Sequence, residues 1–384
     1  MLLDLTDSQR QLRDTAREFA DKILIPSADR YDRLEEFPEE NIKKLADLGF
    51  MGILIPEEYG GGGHDNVTLA VAFEEIHRGC ASTGVTLSVH SSLLSSPILN
   101  FGTEATKQKY LPQLATGESL GAYAITEPNF GSDAAHIETS CVLKGDKYIV
   151  NGTKAWITNG GYADVFVIFA SLDPGAGANS MCAFVVEKSF PGLKVGKKEE
   201  KLGIRASDTV QLVFEDLEVP VENRLGEEGQ GFKVAMHTLD GGRIGIATQS
   251  VGIARACLDA STKHANERVQ FGKLLRKSQT VQFKIADMAT EIDAARLLTL
   301  RAARLKDQGQ PHTKAASMAK LFASETANRA AREAIQIHGG PGVCRGLPVE
   351  RFFRDAKITE IYEGTSEVQR LVISRHALEE GSAP

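Results

Sequence analysis

Cysteine is scarce in this sequence, and its spacing forms no recognisable pattern. Only five cysteines occur among 384 residues, and no two of them form a C-x-x-C pair. The nine histidines likewise include no H-E-x-x-H motif. These absences argue against a zinc knuckle, a zinc-protease helix and a disulfide framework, so we expect no metal site and a reduced protein.

A surplus of basic residues is also missing. Lysine and arginine total 44 against 51 aspartates and glutamates, which gives a net charge of −7. Because nothing in this balance would neutralise a phosphate backbone, we do not expect nucleic acid as a partner. Apolar residues make up 42% of the chain, which is typical of a globular protein rather than a disordered one.

Long hydrophobic runs and targeting signals are absent too. No stretch approaches the ~18–20 apolar residues that a membrane-spanning helix needs. The first residues, MLLDLTDSQR, lack the basic and apolar regions of a secretory signal and are too acidic for a transit peptide. The sequence therefore predicts a protein without a membrane span, located in a bacterial cytoplasm or, for a processed eukaryotic chain, in the mitochondrial matrix.

The common nucleotide-binding fingerprints do not occur, despite 36 glycines. Neither G-x-G-x-x-G nor G-x-x-x-x-G-K-[ST] is present, so a dinucleotide would not bind on a Rossmann turn. The segment Gly117-Glu118-Ser119-Leu120-Gly121 does match the G-x-S-x-G elbow of serine hydrolases. That elbow needs a strand before the serine and a helix after it, whereas here a helical stretch precedes and a β-rich run follows. We therefore predict a helix-to-strand turn, with a hydrolase as the alternative.

Three zones of the sequence differ in pattern. Helical periodicity fills residues 1–119, short β-prone runs separated by Gly and Pro fill 120–227, and longer alanine-rich helical patterns fill 228–384. Within the middle zone, Asn151-Gly152 between two β-prone runs predicts a hairpin turn. This order predicts an α+β multidomain protein with an N-terminal helical domain, a middle antiparallel β-domain and a C-terminal four-helix bundle.

Three polar segments could carry chemistry. The run from Tyr123 to Asp133 ends in a turn that suits an anion or a polar ring, although such a turn is more often an ordinary loop. Trp156, the only tryptophan, could border a ring at a strand end or lie in the core. Glu363 follows Ile361-Tyr362, and an apolar setting would raise its pKa from ~4.3 toward neutrality, as a general base requires. It could instead be a solvated residue before a helix that Thr365 caps.

Several separated motifs follow one another along nearly the whole chain. They are Ala124-Ile125-Thr126-Glu127-Pro128 with Gly131-Ser132-Asp133, Trp156-Ile157-Thr158-Asn159, Leu225-Gly226 with Gly229-Gln230-Gly231-Phe232, Arg268 with Gln270-Phe271-Gly272-Lys273, Gln336 with Gly339-Gly340, and Arg354-Asp355-Ala356 before Ile361-Tyr362-Glu363-Gly364-Thr365. In this order and spacing they resemble the acyl-CoA dehydrogenase family, in its short-chain (butyryl-CoA) branch. The resemblance implies the same three-part fold, FAD bound without a Rossmann turn, and a homotetramer built as a dimer of dimers. It also implies that electrons pass to electron-transfer flavoprotein.

The resemblance implies roles for individual residues. Glu363 would remove the Cα proton of an acyl-CoA while flavin N5 takes the Cβ hydride, and the Glu363 N–H would help to hold the thioester oxygen. The flavin ring would contact Tyr123, Ile125, Thr126, Trp156 and Thr158, whose hydroxyl would bond to N5. The rest of FAD would contact Ser132, Thr365 and Glu367 near the pyrophosphate and, across a subunit interface, Arg268, Phe271, Gln279, Gln336 and Gly340 at the adenine. Substrate contacts would come from Ser132, Asp240, Arg243, Tyr362 and Gly364.

One position bears on the branch of the family. Some relatives, including the isovaleryl and long-chain enzymes, carry the catalytic glutamate immediately before the residue equivalent to Arg243. Here that position is Gly242, which supports Glu363 as the base. The segment Pro341-Gly342-Val343-Cys344 departs from the aromatic residues that relatives commonly have there, which leaves the shape of that loop open. The acyl pocket would be lined by Val89, Ser92, Ser95, Gly242 and Tyr362.

The resemblance leaves other activities open. The same fold could act on a branched or cyclic acyl-CoA. An acyl-CoA oxidase is disfavoured, because oxidase chains are usually longer than 384 residues. A non-catalytic flavoprotein or acyl-CoA-binding protein would be marked by loss of the base, and Glu363 is present.

Overall fold

The computed structural model describes residues 5–381, which form a helical N-terminal part, a β-sheet and a helical C-terminal part. The N-terminal part comprises α1 (Asp7–Phe19), α2 (Ile25–Leu34), α3 (Glu39–Asp47), α4 (Asn66–Gly79), α5 (Ala81–Ser88), α6 (Ser96–Phe101) and α7 (Glu104–Thr116). Two π-helical segments, Ala20–Leu24 and Val89–Ser95, connect α1 to α2 and α5 to α6. The segment Val89–Ser95 is buried throughout and packs against the strand Gly121–Ala124 and the long helix Gly231–Glu267, so it belongs to the centre of the molecule.

The middle part is a single sheet. Its strands are β1 (Gly121–Ala124), β2 (Ser140–Lys144), β3 (Lys147–Thr158), β4 (Val165–Ser171), β5 (Met181–Glu187), β6 (Leu193–Lys198), β7 (Thr209–Pro220) and β8 (Arg224–Leu225). The predicted fold class is confirmed, but the sheet is mixed rather than antiparallel, because β1 runs parallel to β4. Parallel neighbours need a long connection, and the β2–β3 hairpin between them supplies it.

The hairpin predicted at Asn151-Gly152 is wrong. β3 runs straight through these two residues, and the turn lies instead between Lys144 and Lys147. At Gly152 the register against β7 shifts, and a Cβ there would lie 2.5 Å from Thr139 Oγ1. The glycine is therefore needed for close approach inside a bulged strand rather than for a turn.

The C-terminal part is built on three long helices. They are α8 (Gly231–Glu267), α9 (Gln279–Asp307) and α10 (Thr313–His338), followed by α11 (Val349–Thr359) and α12 (Ser366–Gly381), with a short β9–β10 ladder (Val269–Gln270, Lys273–Leu274) before α9. α8, α9 and α10 pack on one another, and α11 and α12 pack against α10. The buried face of α10 is lined by alanines, which lets its neighbours approach closely. None of the helices within residues 5–381 is long and apolar enough to cross a membrane.

The boundaries at 119/120 and 227/228 stay predictions of domain limits. The chain leaves α7 at Thr116 and enters β1 at Gly121, and it leaves β8 at Leu225 and enters α8 at Gly231. These connections are short, so the three parts pack directly on one another. Among the described residues, one of three clusters of buried hydrophobic side chains accordingly draws on all three parts, and the other two lie in the N-terminal part and in the β-sheet.

Arg354 on α11 ties the three parts together. Its guanidinium donates to both carboxylate oxygens of buried Asp32 on α2, at 2.7 and 3.0 Å, and to Glu350 at 2.8 Å. The next residue, Asp355, accepts from the N–H of Ile204 in the β-part at 2.6 Å. Arg354 and Asp355 therefore fix the position of α11 relative to α2 and the β-part. This helix leads directly into the turn that carries Glu363.

Replacing Arg354 by alanine should leave the Asp32 carboxylate buried and unpaired. Loss of one partner of a buried ion pair typically costs about 3–5 kcal/mol. We expect the Arg354→Ala variant to unfold at clearly lower denaturant concentration. The matched control is Arg33→Ala, because Arg33 pairs with Asp29 at 3.0 Å with both side chains about half exposed. That variant should lose less than about 1 kcal/mol, and equal losses in the two variants would contradict the account.

Candidate active site

Glu363 occupies a strained turn between α11 and α12. Its backbone is left-handed, with φ of 57°, and Gly364 follows with φ of 88°. A non-glycine residue in this conformation costs about 1–3 kcal/mol unless its surroundings hold it there, and such residues cluster at functional sites. The Oε2 atom is buried without a hydrogen-bond partner among the described residues, while the residue as a whole is half-buried.

The electrostatic setting of Glu363 suits a base. Burial raises the pKa of its carboxyl to about 7, against the lowering effect of the Lys320 and Arg243 charges. Desolvation is therefore the stronger influence. A carboxyl with a pKa near 7 is ionised in half of the molecules at neutral pH and accepts a proton far better than an ordinary glutamate.

Gly242 on α8 touches the Glu363 carboxylate. A Cβ added at Gly242 would lie 2.4 Å from Glu363 Oε2 and 2.8 Å from Leu93 Cδ2, which leaves no room even for a methyl group. The predicted pocket residues Val89, Ser92 and Ser95 belong to the same buried π-helical segment as Leu93. Positions 242 and 363 therefore lie next to each other. This chain has its glutamate at position 363 and a glycine at position 242.

Arg243 does not hold Glu363 directly. Its Nη1 donates to Asp240 at 2.6 Å and to Ser317 at 3.4 Å, and Asp240 in turn accepts from Thr313 at 2.5 Å. Its Nε is buried without a partner among residues 5–381. Arg243 acts on Glu363 through its charge rather than through a hydrogen bond, and its contact with the substrate stays a prediction.

Two tyrosines flank the base. The Tyr362 hydroxyl donates to Gln249 on α8. Tyr123, at the end of β1, lies with its ring edge against Phe169, and its buried hydroxyl has no partner among the described residues. Burial and the charge of Glu363 raise the pKa of the Tyr123 phenol.

A buried ion pair shapes the segment that follows Tyr123. Lys154 Nζ donates to Glu127 at 2.8 Å and to the Ile125 carbonyl at 3.2 Å, and the Ala155 N–H donates to the Thr126 carbonyl at 2.9 Å. Burial lowers the pKa of Lys154 to about 8. Lys154 and Glu127 thus fix Ile125 and Thr126 in place, and sequence reasoning missed Lys154. Its only signal was a lysine between Thr153 and Ala155 in a β-prone run.

Trp156 lies outside the core. Its backbone is left-handed, with φ of 61°, at a register shift in β3, and its side chain is 59% exposed. β3 ends two residues later at Thr158, and the hydrogen bond from Ala155 to Thr126 joins this strand end to the loop after β1. The core position considered for Trp156 is therefore wrong. Ser132, in the same loop, is exposed.

The residues assigned to the adenine half of FAD lie far from Glu363 within one chain. Arg268 ends α8, Gln279 begins α9, and Gln336 lies in the last turn of α10. Arg268 follows Gly242 by 26 residues of helix, or about 39 Å at 1.5 Å per residue. Phe271 is 98% exposed on the β9–β10 turn, with φ of 49°, and Gly340 is exposed after α10. The single chain does not bring this set to the Glu363 site.

The structure also shows where the remaining residues and segments singled out from the sequence lie. Thr365 accepts from the Val368 N–H at 3.3 Å and so caps α12, while Glu367 on the first turn is exposed. Ser119 is buried after α7 and donates to Gln113 at 2.8 Å, which confirms the helix-to-strand turn. The divergent segment at Gly340–Val343 forms a 3₁₀ turn. Within residues 5–381 no cluster of three metal-ligating side chains occurs.

Comparison with known proteins decides the family. The profile described as acyl-CoA dehydrogenase, N-terminal domain, matches residues 6–118, the middle-domain profile matches 122–217, and the C-terminal-domain profile matches 229–378. The chain belongs to the acyl-CoA dehydrogenase family. Acyl-CoA dehydrogenases are FAD-dependent oxidoreductases.

Relatives of this acyl-CoA dehydrogenase match it over nearly its full length. The mitochondrial short-chain specific acyl-CoA dehydrogenase of Rattus norvegicus is 51% identical over 98% of this chain and 91% of its own. Butyryl-CoA dehydrogenase from Megasphaera elsdenii superposes with a TM-score of 0.97 at 46% identity, over 98% of this chain and all of the other. A chain from a structure described as electron transferring flavoprotein of Acidaminococcus fermentans gives the same TM-score at 49% identity, with the same coverage.

The residues present fit FAD. An exposed indole on a left-handed strand bulge and a buried phenol without a partner border the place where the loop after β1 meets the end of β3. A flat, polar ring system would cover the indole and offer acceptors to unpaired donors. The acyl-CoA dehydrogenase therefore presents, where this loop meets the strand end, two aromatic side chains suited to the ring of the cofactor.

A methyl group at Gly242 should displace the Glu363 carboxylate. We expect Gly242→Ala to lower the turnover of butyryl-CoA by about tenfold or more, since a misplacement of about 1 Å at a reacting group can cost 10²-fold. Gly245→Ala on the same helix is the control, because its Cβ would meet only Ser88 and Ser92 atoms at 3.8 Å or more. If the Gly242→Ala enzyme is as active as Gly245→Ala, the added methyl group does not displace the carboxylate, and the close approach of Gly242 to Glu363 is contradicted.

Proposed function

We propose that this acyl-CoA dehydrogenase oxidises short-chain acyl-CoA thioesters to trans-2-enoyl-CoA, with Glu363 as the base. The observation that carries the proposal is a buried carboxylate with a pKa of about 7, held against Gly242 within a chain of this family. Identity of about half to a short-chain specific enzyme and to butyryl-CoA dehydrogenase supports the substrate class.

The residues of this chain supply the proton chemistry. The Cα proton of a thioester is weakly acidic, so the base must be ionised, close and shielded from water. Glu363 Oε2 meets these needs, because it is buried and keeps no hydrogen bond among the described residues that would have to break. The Glu363 N–H, which makes no hydrogen bond to residues 5–381, is free to donate to the thioester oxygen as negative charge develops there.

The cofactor supplies the second half of the reaction. When bound, FAD provides the acceptor for the Cβ hydride. Tyr123, Ile125, Thr126, Trp156 and Thr158 would hold its ring, and Ser132, Thr365 and Glu367 would lie near its pyrophosphate. Asp240, Arg243, Tyr362 and Gly364 would contact the substrate, together with Ser132. The buried pair of Lys154 and Glu127 would keep the ring-binding loop in one conformation.

We also propose a homotetramer that passes electrons to electron-transfer flavoprotein. The residues assigned to the adenine, including Arg268, Phe271 and Gln279, lie at the opposite end of α8 from Glu363, so a second copy of the chain would have to bring them to the cofactor. The likeness to a chain from a structure described as an electron transferring flavoprotein supports the acceptor. Location in a bacterial cytoplasm or a mitochondrial matrix stays a prediction.

Butyryl-CoA should bleach the flavin of the purified enzyme under anaerobic conditions, and the Glu363→Gln variant should not be bleached. The amide keeps the size of the side chain but cannot take the Cα proton. Glu360→Gln, which removes the half-buried carboxylate that pairs with exposed Lys357, is the control and should bleach like the wild type.

A series of acyl-CoA substrates separates the alternatives. Bleaching by hexanoyl-, octanoyl-, branched or cyclic acyl-CoA but not by butyryl-CoA would keep the dehydrogenase and overturn the short-chain assignment. Bleaching of Glu363→Gln by butyryl-CoA at the wild-type rate would remove Glu363 as the base. A protein that cannot be reconstituted with FAD would contradict the proposed activity itself.

A further inference from the structure

A buried lysine lies directly behind the proposed base. Lys320, on α10, has no exposed surface, and its Nζ donates to the Gly364 carbonyl at 2.8 Å. That carbonyl is its only hydrogen-bond partner among the described residues. Burying an ammonium ion without a paired carboxylate costs free energy. The hydrogen bond to the Gly364 carbonyl is the interaction that offsets this cost.

The carbonyl that Lys320 holds belongs to the strained turn of the active site. Glu363 and Gly364 are both left-handed, and Gln369 from α12 reaches the same turn, donating to the Gly364 carbonyl at 2.9 Å and to the Glu363 carbonyl at 3.4 Å. A Cβ at Gly364 would lie 2.6 Å from Gln369 Nε2. Two donors from two different helices therefore converge on one peptide group and keep the turn from relaxing.

We propose that Lys320 is a positioning residue for the base, which holds the Gly364 carbonyl so that the left-handed turn directs the Glu363 carboxylate into the site. The proposal rests on the proposed function of Glu363. Lys320 touches neither the substrate nor the carboxylate in this account. It acts through the backbone that carries the base, and α10 supplies the rigid support.

The charge of Lys320 adds a second effect. Arg243 is the other cation that acts on Glu363, and it already pairs with Asp240 at 2.6 Å, whereas Lys320 has no carboxylate within hydrogen-bond distance among the described residues. Burial lowers the pKa of Lys320 to about 8, against Glu363, Glu360 and Glu367, with Arg243 lowering it further. The phenols of Tyr123 and Tyr362 stay neutral. Lys320 is thus charged below about pH 8, and its loss would raise the pKa of Glu363.

The test is the rate of flavin reduction by butyryl-CoA in the holoenzyme, measured against pH for Lys320→Met. We expect the rate at its high-pH plateau to fall by about tenfold or more, while the half-saturating butyryl-CoA concentration changes by less than about threefold. The pH midpoint should move upward, because a base that loses a neighbouring cation ionises at higher pH. Lys320→Arg, which keeps charge and donors, should recover part of the plateau rate.

Two further variants separate the hydrogen bond from the charge. Gln369→Leu removes the neutral donor to the same carbonyl, so it should lower the plateau rate without raising the midpoint. Lys314→Met, on the same helix but paired with Glu380 at the surface, should match the wild type in both respects. Should Lys320→Met fail to fold, Gln369→Leu and Lys320→Arg carry the test.

A readout without turnover completes the design. The Glu363 carboxyl is titrated in the substrate-free enzyme by infrared difference spectra, with Glu363→Gln as the reference for its band. A wild-type plateau rate in Lys320→Met, whether or not the midpoint moves, would overturn the positioning role. If Glu363→Gln itself still reduces flavin at the wild-type rate, the proposed function has failed instead, and the two failures are distinguished.

Discussion

The desolvation of one carboxylate is the constraint on which the active site depends. Glu363 Oε2 is enclosed by the bare backbone of Gly242 on α8, by Leu93 of the π-helical segment and by the turn that α10 and α12 hold. Burial raises its pKa and the charges of Lys320 and Arg243 lower it, with a net value of about 7. The pKa of this carboxyl therefore reflects two opposing effects, of which burial is the stronger.

The surroundings of this carboxylate draw on all three parts of the chain. Leu93 of the N-terminal part and Glu363 of the bundle meet at Gly242, and the charge of Glu363 acts on the Tyr123 phenol of the β-part. Because the residues around the carboxylate come from separate parts, contacts that hold the parts together also hold the site together. The pairing of Arg354 with Asp32 is one of them, although it lies outside the site. Preorganisation here is a property of how α11 is docked on the N-terminal helices and the sheet.

The sequence predicts the architecture, which the structure confirms, and it makes Glu363 the candidate base, but it does not predict the side chains that support that residue. Long helices and β-rich runs follow from periodicity, and the motif around Glu363 makes this residue the proposed base. The hairpin prediction at Asn151-Gly152 failed, because a pair that forms turns also fits a β-bulge where another backbone comes close. Only the neighbouring strand decides whether the pair forms a turn or a bulge. Lys154, Lys320 and Gln369 were missed. A lysine in a sequence predicts an exposed side chain, and whether it is buried depends on carbonyls and carboxylates that are distant along the chain.

The most direct test of the account is Cα proton exchange without oxidation. An acyl-CoA analogue in which sulfur replaces Cβ has no hydride to transfer, so the deuterium that it takes up at Cα from heavy water reports the base alone. The account predicts exchange that rises with pH through a midpoint of about 7 in the wild type and is lost in Glu363→Gln. Exchange that persists in Glu363→Gln, or a midpoint at the ordinary glutamate value of 4.5, would contradict it.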